Sequence, residues 1–227
     1  MTLLKALPLL PVLAVQGLRV RRTTPRLPEA PGPRHGVVAG SAQPYRVAVL
    51  GESTAAGVGA DAMDDSLAPH LARELNRRSG REVRWQVAGR SGATARRTIE
   101  ELAGQVEAAD LVVVVLGIND LLELTRLAAF ERDLAELLAM IDAPQMIVTG
   151  VPPVDRFPTL PQPLRRIMGE RARDLDRIMA KVAGERHAPM ELPMEAATIF
   201  ASDGFHPSGQ GYALWAEQLA TRPLTGL

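Results

Sequence analysis

The sequence predicts one α/β domain with three layers, in which helices cover both faces of a flavodoxin-like open parallel sheet of about five strands. From Tyr45 onward, short apolar runs alternate with longer stretches of helical period, which is the pattern of repeated βα units. The run of residues 111–116 is apolar on both faces, as a central parallel strand should be. A chain of 227 residues is long enough for one such domain.

The apolar runs place five strands along the chain. The predicted strands are residues 46–50, 83–87, 111–116, 146–151 and 189–192. Right-handed crossovers between successive strands make the flavodoxin-like order the simplest topology. In such a sheet, ligands bind outside the carboxyl ends of the strands.

Helical periodicity fills the intervals between these strands. One helix begins near Leu67, after the capping oxygens of Asp64, Asp65 and Ser66, and ends at Gly80. The other predicted helices are residues 121–141, 164–182 and 208–219. Their apolar stripes indicate core packing.

The chain divides into a lead-in of residues 1–44 and a main domain of residues 45–227. Residues 3–15 are strongly apolar, and residues 23–44 are rich in proline, which indicates an irregular lead-in. The apolar segment resembles the core of a signal peptide, but it contains Pro8 and Pro11. Positive charge downstream opposes export, and it is supplied here by Arg19, Arg21, Arg22 and Arg26. We expect the segment to pack on the domain, with contact of residues 3–26 with a membrane surface as the alternative.

Charge and cysteine content exclude several classes of function. Lys plus Arg and Asp plus Glu each number 26, so no excess of positive charge favours nucleic acid as a partner. The chain has no cysteine, which excludes disulfides, thiolate metal sites and cysteine nucleophiles. Its histidines lack the paired spacing of zinc sites, so we expect neither a metal nor a cofactor. We expect a cytoplasmic protein, with secretion or peripheral membrane attachment as alternatives.

Polar and glycine residues follow each predicted strand and should face a common crevice. In chain order these groups are Gly51-Glu52-Ser53, Gly89-Arg90-Ser91-Gly92, Gly117-Ile118-Asn119-Asp120, Pro152-Pro153 and Asp203-Gly204-Phe205-His206-Pro207. Together they supply a hydroxyl, glycine amides, a carboxamide, carboxylates and an imidazole. That combination is suited to acyl transfer.

The physical needs of acyl transfer assign a role to each group. Ser53 is a weak nucleophile until a base takes its proton, and His206 is the histidine at the expected edge of the sheet. Asp203, three residues before His206, can orient the imidazole. The backbone N–H groups of Ser53 and Gly89 and the side-chain amide of Asn119 can converge on an oxyanion.

These residues resemble the sequence blocks of the SGNH (GDSL) hydrolases. Gly51-Glu52-Ser53 is similar to the first block, Gly89 to the second, Gly117-Ile118-Asn119-Asp120 to the third, and Asp203-Gly204-Phe205-His206-Pro207 to the fifth. The resemblance implies a three-layer α/β/α hydrolase of ester or thioester bonds. It also implies a catalytic triad of Ser53, His206 and Asp203 and an oxyanion hole from Ser53, Gly89 and Asn119.

Two positions depart from the pattern of that family. Glu52 stands where the family usually has aspartate, and Val87 stands where it usually has asparagine. Neither change removes a catalytic group, but each alters a supporting contact.

Several alternatives remain at the level of sequence. Ser91 is a rival nucleophile, although its surroundings do not match G-x-S-x-G. Gly57-Val58-Gly59 after a strand permits a non-catalytic nucleotide-binding module, but the lysine of a phosphate loop is missing. For an enzyme, short-chain acyl or aryl carboxylic esters are the expected substrates, with acyl thioesters or lysophospholipids as alternatives. Phe157, Pro152, Pro153 and Pro158 are candidates for the wall of an acyl pocket, and Phe205 is another.

Overall fold

A computed structural model describes residues 9–191 and 197–224 of the chain. In this part of the chain the sheet has six strands, in the spatial order β1-β3-β2-β4-β5-β6. The strands are β1 (His35–Val38), β2 (Ala42–Gly51), β3 (Arg81–Gly89), β4 (Leu111–Val115), β5 (Gln145–Thr149) and β6 (His187–Ala188). All neighbouring pairs are parallel except β1 and β3. Without β1, the order is the predicted flavodoxin-like one, so the predicted fold class is confirmed.

Helices cover both faces of the sheet. The helices in the described residues are α1 (Leu10–Thr23), α2 (Leu67–Ser79), α3 (Ala95–Glu101), α4 (Ile118–Leu122), α5 (Leu127–Met140), α6 (Leu164–Ala183) and α7 (Gly209–Ala220). Helices α2 and α7 pack together on one face, and α3, α5 and α6 pack side by side on the other. Strand β4 lies between the two helix layers with every residue buried, as its apolar sequence predicted.

Helix α2 follows the sequence prediction closely in its bounds. Gly80 ends it in the left-handed conformation, with its N–H donating to the carbonyl of Asn76. Ser66 occupies the N-cap position, but its hydroxyl bonds the sulfur of Met63 rather than a helix N–H. The capping position was therefore predicted correctly, whereas the capping hydrogen bond was not.

The proline-rich lead-in contributes a strand that the sequence analysis missed. Strand β1 pairs antiparallel with β3, with Gly36 opposite Trp85. A side chain at position 36 would collide with the Trp85 ring. A glycine at this position therefore lets the indole lie across β1. The expectation of an irregular lead-in was therefore wrong for residues 35–38, and also for residues 42–44, which begin β2. The sequence of the short strand β1 has no apolar alternation, so periodicity does not predict it. It is a strand because its backbone pairs with that of β3.

The last strand and one helix differ from the predicted bounds. The final parallel strand lies at His187–Ala188, two residues before the predicted start, and Leu192 of the predicted strand lies outside the described residues. The helix predicted over residues 121–141 is two helices, α4 and α5, separated by a turn in which Leu124 has a φ of 56°. The Arg171 guanidinium donates to the carbonyl of Thr125 in that turn, a tertiary contact that sequence periodicity does not show.

Helix α1 does not pack as expected. The apolar side chains of Leu10, Val12, Val15 and Leu18 are exposed, with Val15 at 66%. Val20 is half-buried against the core, and Gln16 bonds the backbone of Gln162 and Leu164. The packing prediction was therefore wrong for Leu10, Val12 and Val15, whereas Leu13 is half-buried, and residues 3–8 lie outside the described part. Within residues 9–191 and 197–224, none of the helices has both the length and the apolar character needed to span a bilayer.

Candidate active site

The predicted polar groups meet at the carboxyl edge of the sheet, between β2 and β4. Ser53 follows β2, Gly89 ends β3 and Asn119 lies in the first turn of α4, directly after β4. The loop before α7 brings Asp203 and His206 to the same edge. Chain crossovers leave β2 and β4 toward opposite sides of the sheet, so this edge is the topological switch point where open α/β folds bind ligands.

Ser53, His206 and Asp203 form a continuous chain of hydrogen bonds. The Ser53 hydroxyl lies 2.9 Å from Nε2 of His206, and Nδ1 of His206 lies 2.6 Å from Oδ2 of Asp203. Oδ1 of Asp203 accepts the backbone N–H groups of Phe205 and His206 at 2.9 and 3.0 Å. Burial raises the pKa of Asp203, but its hydrogen bonds with His206 and Phe205 outweigh that effect and hold the pKa below its usual value. An ionised Asp203 fixes the orientation of the imidazole.

Gly59 permits the close contact between the serine turn and the histidine loop. It has a φ of 98°, and a Cβ there would lie 3.2 Å from Cβ of His206 and would collide with the carbonyl of Pro207. The same loop is held by the N–H of Ala201, which donates to the carbonyl of His206 at 2.9 Å. Gly59, one of the two glycines that suggested a nucleotide-binding turn, therefore permits the approach of two loops.

The backbone N–H of Ser53 makes no hydrogen bond with any group in the described residues. Beside it, Gly89 packs against the next turn, where an added Cβ would lie 2.7 Å from the backbone nitrogen of Ala56. Only glycine fits there without displacing that turn. The structure thus brings Ser53 and Gly89 together as predicted.

The side chain of Asn119 is held by Glu52. Oε2 of Glu52 accepts the backbone N–H of Asn119 at 3.0 Å and its side-chain amide at 2.9 Å, and Oε1 accepts the N–H of Ile118 at 3.1 Å. The same amide nitrogen also donates to the carbonyl of Ala93 at 3.0 Å. Since an amide nitrogen carries two hydrogens, Asn119 must share or exchange one of these bonds before it can donate to an oxyanion.

Glu52 is buried, and its surroundings change its ionisation. Burial raises its pKa to about 8, against the hydrogen bonds from Asn119 and Ile118, and the negative charge of Asp120 adds to the rise. The longer acid in place of the usual aspartate therefore reaches the first turn of α4. It joins the ends of β2 and β4 just behind Ser53.

An apolar pocket opens beside Ser53 and His206. It encloses about 460 Å³, part of it open to solvent, and Ile118, Pro152 and Met190 contribute to its wall. Three phenylalanines form an edge-to-face cluster at the pocket, with the Phe157 ring 5.5 Å from Phe200 and 5.0 Å from Phe205. These rings make the wall of the pocket apolar beside the Ser53 hydroxyl.

The sequence prediction of the pocket was partly correct. Phe157, Pro152 and Phe205 line it, whereas Pro153 and Pro158 do not. Sequence reasoning missed Phe200 and Met190, because neither follows a predicted strand. The rival nucleophile Ser91 is exposed, and its backbone N–H donates to Glu29. The hydroxyl that His206 contacts is that of Ser53.

The chain belongs to the GDSL-like lipase/acylhydrolase family, whose sequence model matches residues 49–214. The resemblance of its sequence blocks to the SGNH (GDSL) hydrolases is thereby confirmed. The family consists of hydrolases that act on esters.

Individual proteins are similar to this chain over most of its length. The GDSL-like esterase Rv1075c of Mycobacterium tuberculosis (strain ATCC 25618 / H37Rv) is 26% identical over 92% of this chain and 74% of its own. The crystal structure of the lipase/acylhydrolase from Enterococcus faecalis covers 78% of this chain and 94% of its own, at 23% identity and a TM-score of 0.63. The crystal structure of TesA covers 79% of this chain and 99% of its own, at 22% identity and a TM-score of 0.61. The two solved structures show a common fold.

Proposed function

We propose that the protein is a serine carboxylesterase that hydrolyses short-chain acyl or aryl esters. The observation that carries this proposal is the hydrogen-bonded chain from Ser53 through His206 to Asp203, at the mouth of an apolar pocket. Both heavy-atom distances lie in the range that a nucleophile, its base and the orienting acid require.

In the proposed mechanism, Nε2 of His206 takes the proton of Ser53 as the hydroxyl attacks the ester carbonyl. Asp203 stabilises the imidazolium that forms and does not itself accept a proton. The proton then passes from His206 to the leaving alcohol, and a water molecule activated by the same imidazole hydrolyses the acyl-serine.

The oxyanion of the tetrahedral intermediate would be stabilised by N–H groups at the sheet edge. Ser53 offers a backbone N–H that has no other partner in the described residues, and Gly89 provides a second backbone donor. Asn119 contributes when its amide shares the hydrogen that it gives to Glu52.

The apolar pocket supports an uncharged acyl or aryl group as the part of the substrate that is bound. Phe157, Phe200 and Phe205 present ring faces and edges that stack on apolar groups. The net charge of zero gives no long-range attraction for a strongly charged substrate.

The test is hydrolysis of a series of nitrophenyl esters from acetyl to palmitoyl. We expect highest kcat/KM with short chains, and a fall of about 10³-fold or more in kcat for Ser53→Ala and for His206→Ala. A wild-type protein that hydrolyses none of these esters would contradict the proposal.

A second histidine–carboxylate pair provides the matched control. Nε2 of His187 lies 3.0 Å from Oδ1 of Asp176, in a pair that resembles His206–Asp203 but does not contact Ser53. We expect His187→Ala to retain kcat within about threefold, because this pair takes no part in the chemistry. Equal losses in His187→Ala and His206→Ala would argue against His206 as the base.

One observation favours a second candidate function, hydrolysis of lysophospholipids at a membrane surface. Gln16 of α1 bonds the backbone of Gln162 and Leu164, a few residues beyond Phe157 of the pocket wall. Helix α1, with its exposed apolar side chains, therefore lies against the segment that follows the pocket wall. A rise of kcat/KM with chain length in the ester series would favour this function over a short-chain esterase, and hydrolysis of an acyl thioester would test the thioesterase alternative. The predicted cytoplasmic location stays a prediction.

A further inference from the structure

Residues 24–34 form a segment that crosses the carboxyl edge of the sheet beside the nucleophile; we call it the N-terminal strap. It lies outside the residues that the family model matches. Three of its backbone groups bond the domain: the N–H of Ala30 donates to Ala56, the carbonyl of Pro31 accepts from Met63, and the carbonyl of Arg34 accepts from Val87. Prolines restrict the unfolded conformations of this segment, so its backbone is stiff for an irregular stretch.

Two charged side chains of the strap form hydrogen bonds with the backbone at the end of β3 and in the loop that follows it. One nitrogen of the Arg34 guanidinium donates to the carbonyl of Gly89, and the other donates to Oε2 of Glu29 at 2.5 Å. Oε1 of Glu29 accepts the N–H of Ser91 at 2.7 Å. The closed set of bonds therefore fixes the peptide units on both sides of Arg90.

Side chains outside the strap also contact this loop. The Arg97 guanidinium donates to the carbonyl of Gly92 at 2.8 Å, and Arg90 pairs with Glu101 at 2.5 Å. The Asn119 amide donates to the carbonyl of Ala93 at 3.0 Å. Gly92 has a φ of 81° with open space around it, and Arg90, Ser91 and Gly92 are exposed. Its own backbone bonds are those from the Arg90 N–H to Gly51 and from the Ala93 N–H to Arg90. These contacts act on Arg90, Gly92 and Ala93, whereas the strap holds the Gly89 carbonyl and the Ser91 N–H, the part of this exposed, glycine-rich loop next to β3.

We propose that Glu29 and Arg34 are positioning residues that hold Gly89 in the orientation that an oxyanion requires. This inference rests on the proposed function, in which the Gly89 N–H is an oxyanion donor. The ion pair itself is partly exposed, with side-chain exposures of 41% for Arg34 and 29% for Glu29. An exposed pair of this kind adds little to stability. Its effect is instead on the geometry of the loop.

The ionisation of Glu29 agrees with this role. Partial burial raises its pKa, but the hydrogen bond from Ser91 and the charge of Arg34 outweigh burial and hold the pKa below the usual value. Glu29 therefore stays ionised through the pH range of the assay and remains an acceptor for both partners.

The experiment measures kcat, KM and thermal stability of Arg34→Ala, Glu29→Ala and the double variant, on a nitrophenyl ester that the wild type hydrolyses. Loss of one oxyanion donor costs about 10²–10³ in kcat, and misorientation costs part of that. We expect each single variant to lose about tenfold in kcat with KM within about threefold, because an oxyanion contact acts in the transition state. The double variant should be no worse than about the poorer single one, since the two residues act as one unit.

Arg84→Ala is the matched control. Arg84 lies on the same strand as Gly89 and pairs with Glu82 at 2.8 Å, with the arginine exposed, but this pair is at the far end of β3. The control should keep wild-type kcat. Arg34→Lys adds a second check, since a lysine keeps the charge but lacks the planar fork that bridges two acceptors, and we expect a kcat between those of wild type and Arg34→Ala.

Three outcomes would overturn the inference. One is that Arg34→Ala and Glu29→Ala keep kcat at the level of Arg84→Ala. Another is that their loss of kcat follows the fraction of unfolded protein. An inactive wild type would overturn the proposed function and this inference with it, whereas an active wild type with unaffected variants overturns the role of the strap alone.

Discussion

Glu52 places a carboxylate against backbone and side-chain N–H groups in the interior of the domain. Burial favours its neutral form, and the donors from Ile118 and Asn119 favour its ionised form. Burial has the larger effect, so the pKa rises to about 8. The ionisation of this one side chain therefore bears on the hydrogen bonds of Ile118 and Asn119, directly behind Ser53.

The raised pKa predicts how stability depends on pH. Because the folded state holds the proton of Glu52 up to about pH 8 and the unfolded state releases it near 4.5, the stabilisation is complete below about 4.5 and is lost as pH rises through 8. Between pH 6 and 8, the wild type should lose about 2 kcal/mol of unfolding free energy through this group. Urea unfolding of Glu52→Gln, which cannot ionise there, should lack this loss.

Glu100→Gln is the control for that measurement, since Glu100 is 57% exposed. Its stability should follow the pH dependence of the wild type. The same slope in Glu52→Gln and wild type would contradict the raised pKa.

Among the helices, α1 differs in that most of its apolar side chains are exposed. Leu10, Ala14 and Leu18 recur at helical spacing on the exposed face, and no acidic residue occurs in its first turn. The helix and the residues after it carry four arginines that form no ion pair with any residue in 9–191 or 197–224: Arg19, Arg21, Arg22 and Arg26. We propose that this combination binds a membrane surface that contains anionic lipid.

This proposal predicts binding to vesicles. The protein should sediment with phosphatidylcholine vesicles that contain phosphatidylserine, and binding should weaken at high salt because the arginines contribute about 1 kcal/mol each near such a surface. Leu18→Asp should abolish sedimentation. Met140→Asp, which changes an apolar side chain of similar exposure at the end of α5, should not. Equal sedimentation with both lipid compositions, or no effect of Leu18→Asp, would refute the proposal.

At the scale of the whole molecule, the lead-in and the main domain share one sheet. Strand β1 of the lead-in covers Trp85 on β3, while Trp215 is buried on α7 at the other layer. The chain has only these two tryptophans. The fluorescence of each one therefore reports the unfolding of one side of the fold.

A shared sheet predicts one cooperative unfolding transition. In Trp215→Phe, the fluorescence of Trp85 should give the same urea midpoint as circular dichroism, and the same agreement should hold for Trp215 in Trp85→Phe. An earlier midpoint from Trp85 alone would show that the edge strand unfolds separately from the rest.

Sequence patterns alone predicted the α/β fold, the order of the parallel strands and the residues at the carboxyl edge of the sheet. Those features depend on local periodicity and on chain direction, which the sequence carries at each position. It also indicated Ser53, His206 and Asp203, because each belongs to a short block that follows a strand or precedes a helix.

Other features became visible only in the folded molecule: the pairing of β1, the break between α4 and α5, the partners of Glu52, and the contacts of Glu29 and Arg34 with the Gly89 loop. Each of these depends on groups far apart in the chain, such as Arg171 with Thr125 or Arg34 with Gly89. Long-range contacts of polar side chains with the backbone leave no periodic signal in the sequence. They are set by which loops the packed sheet brings to the same edge.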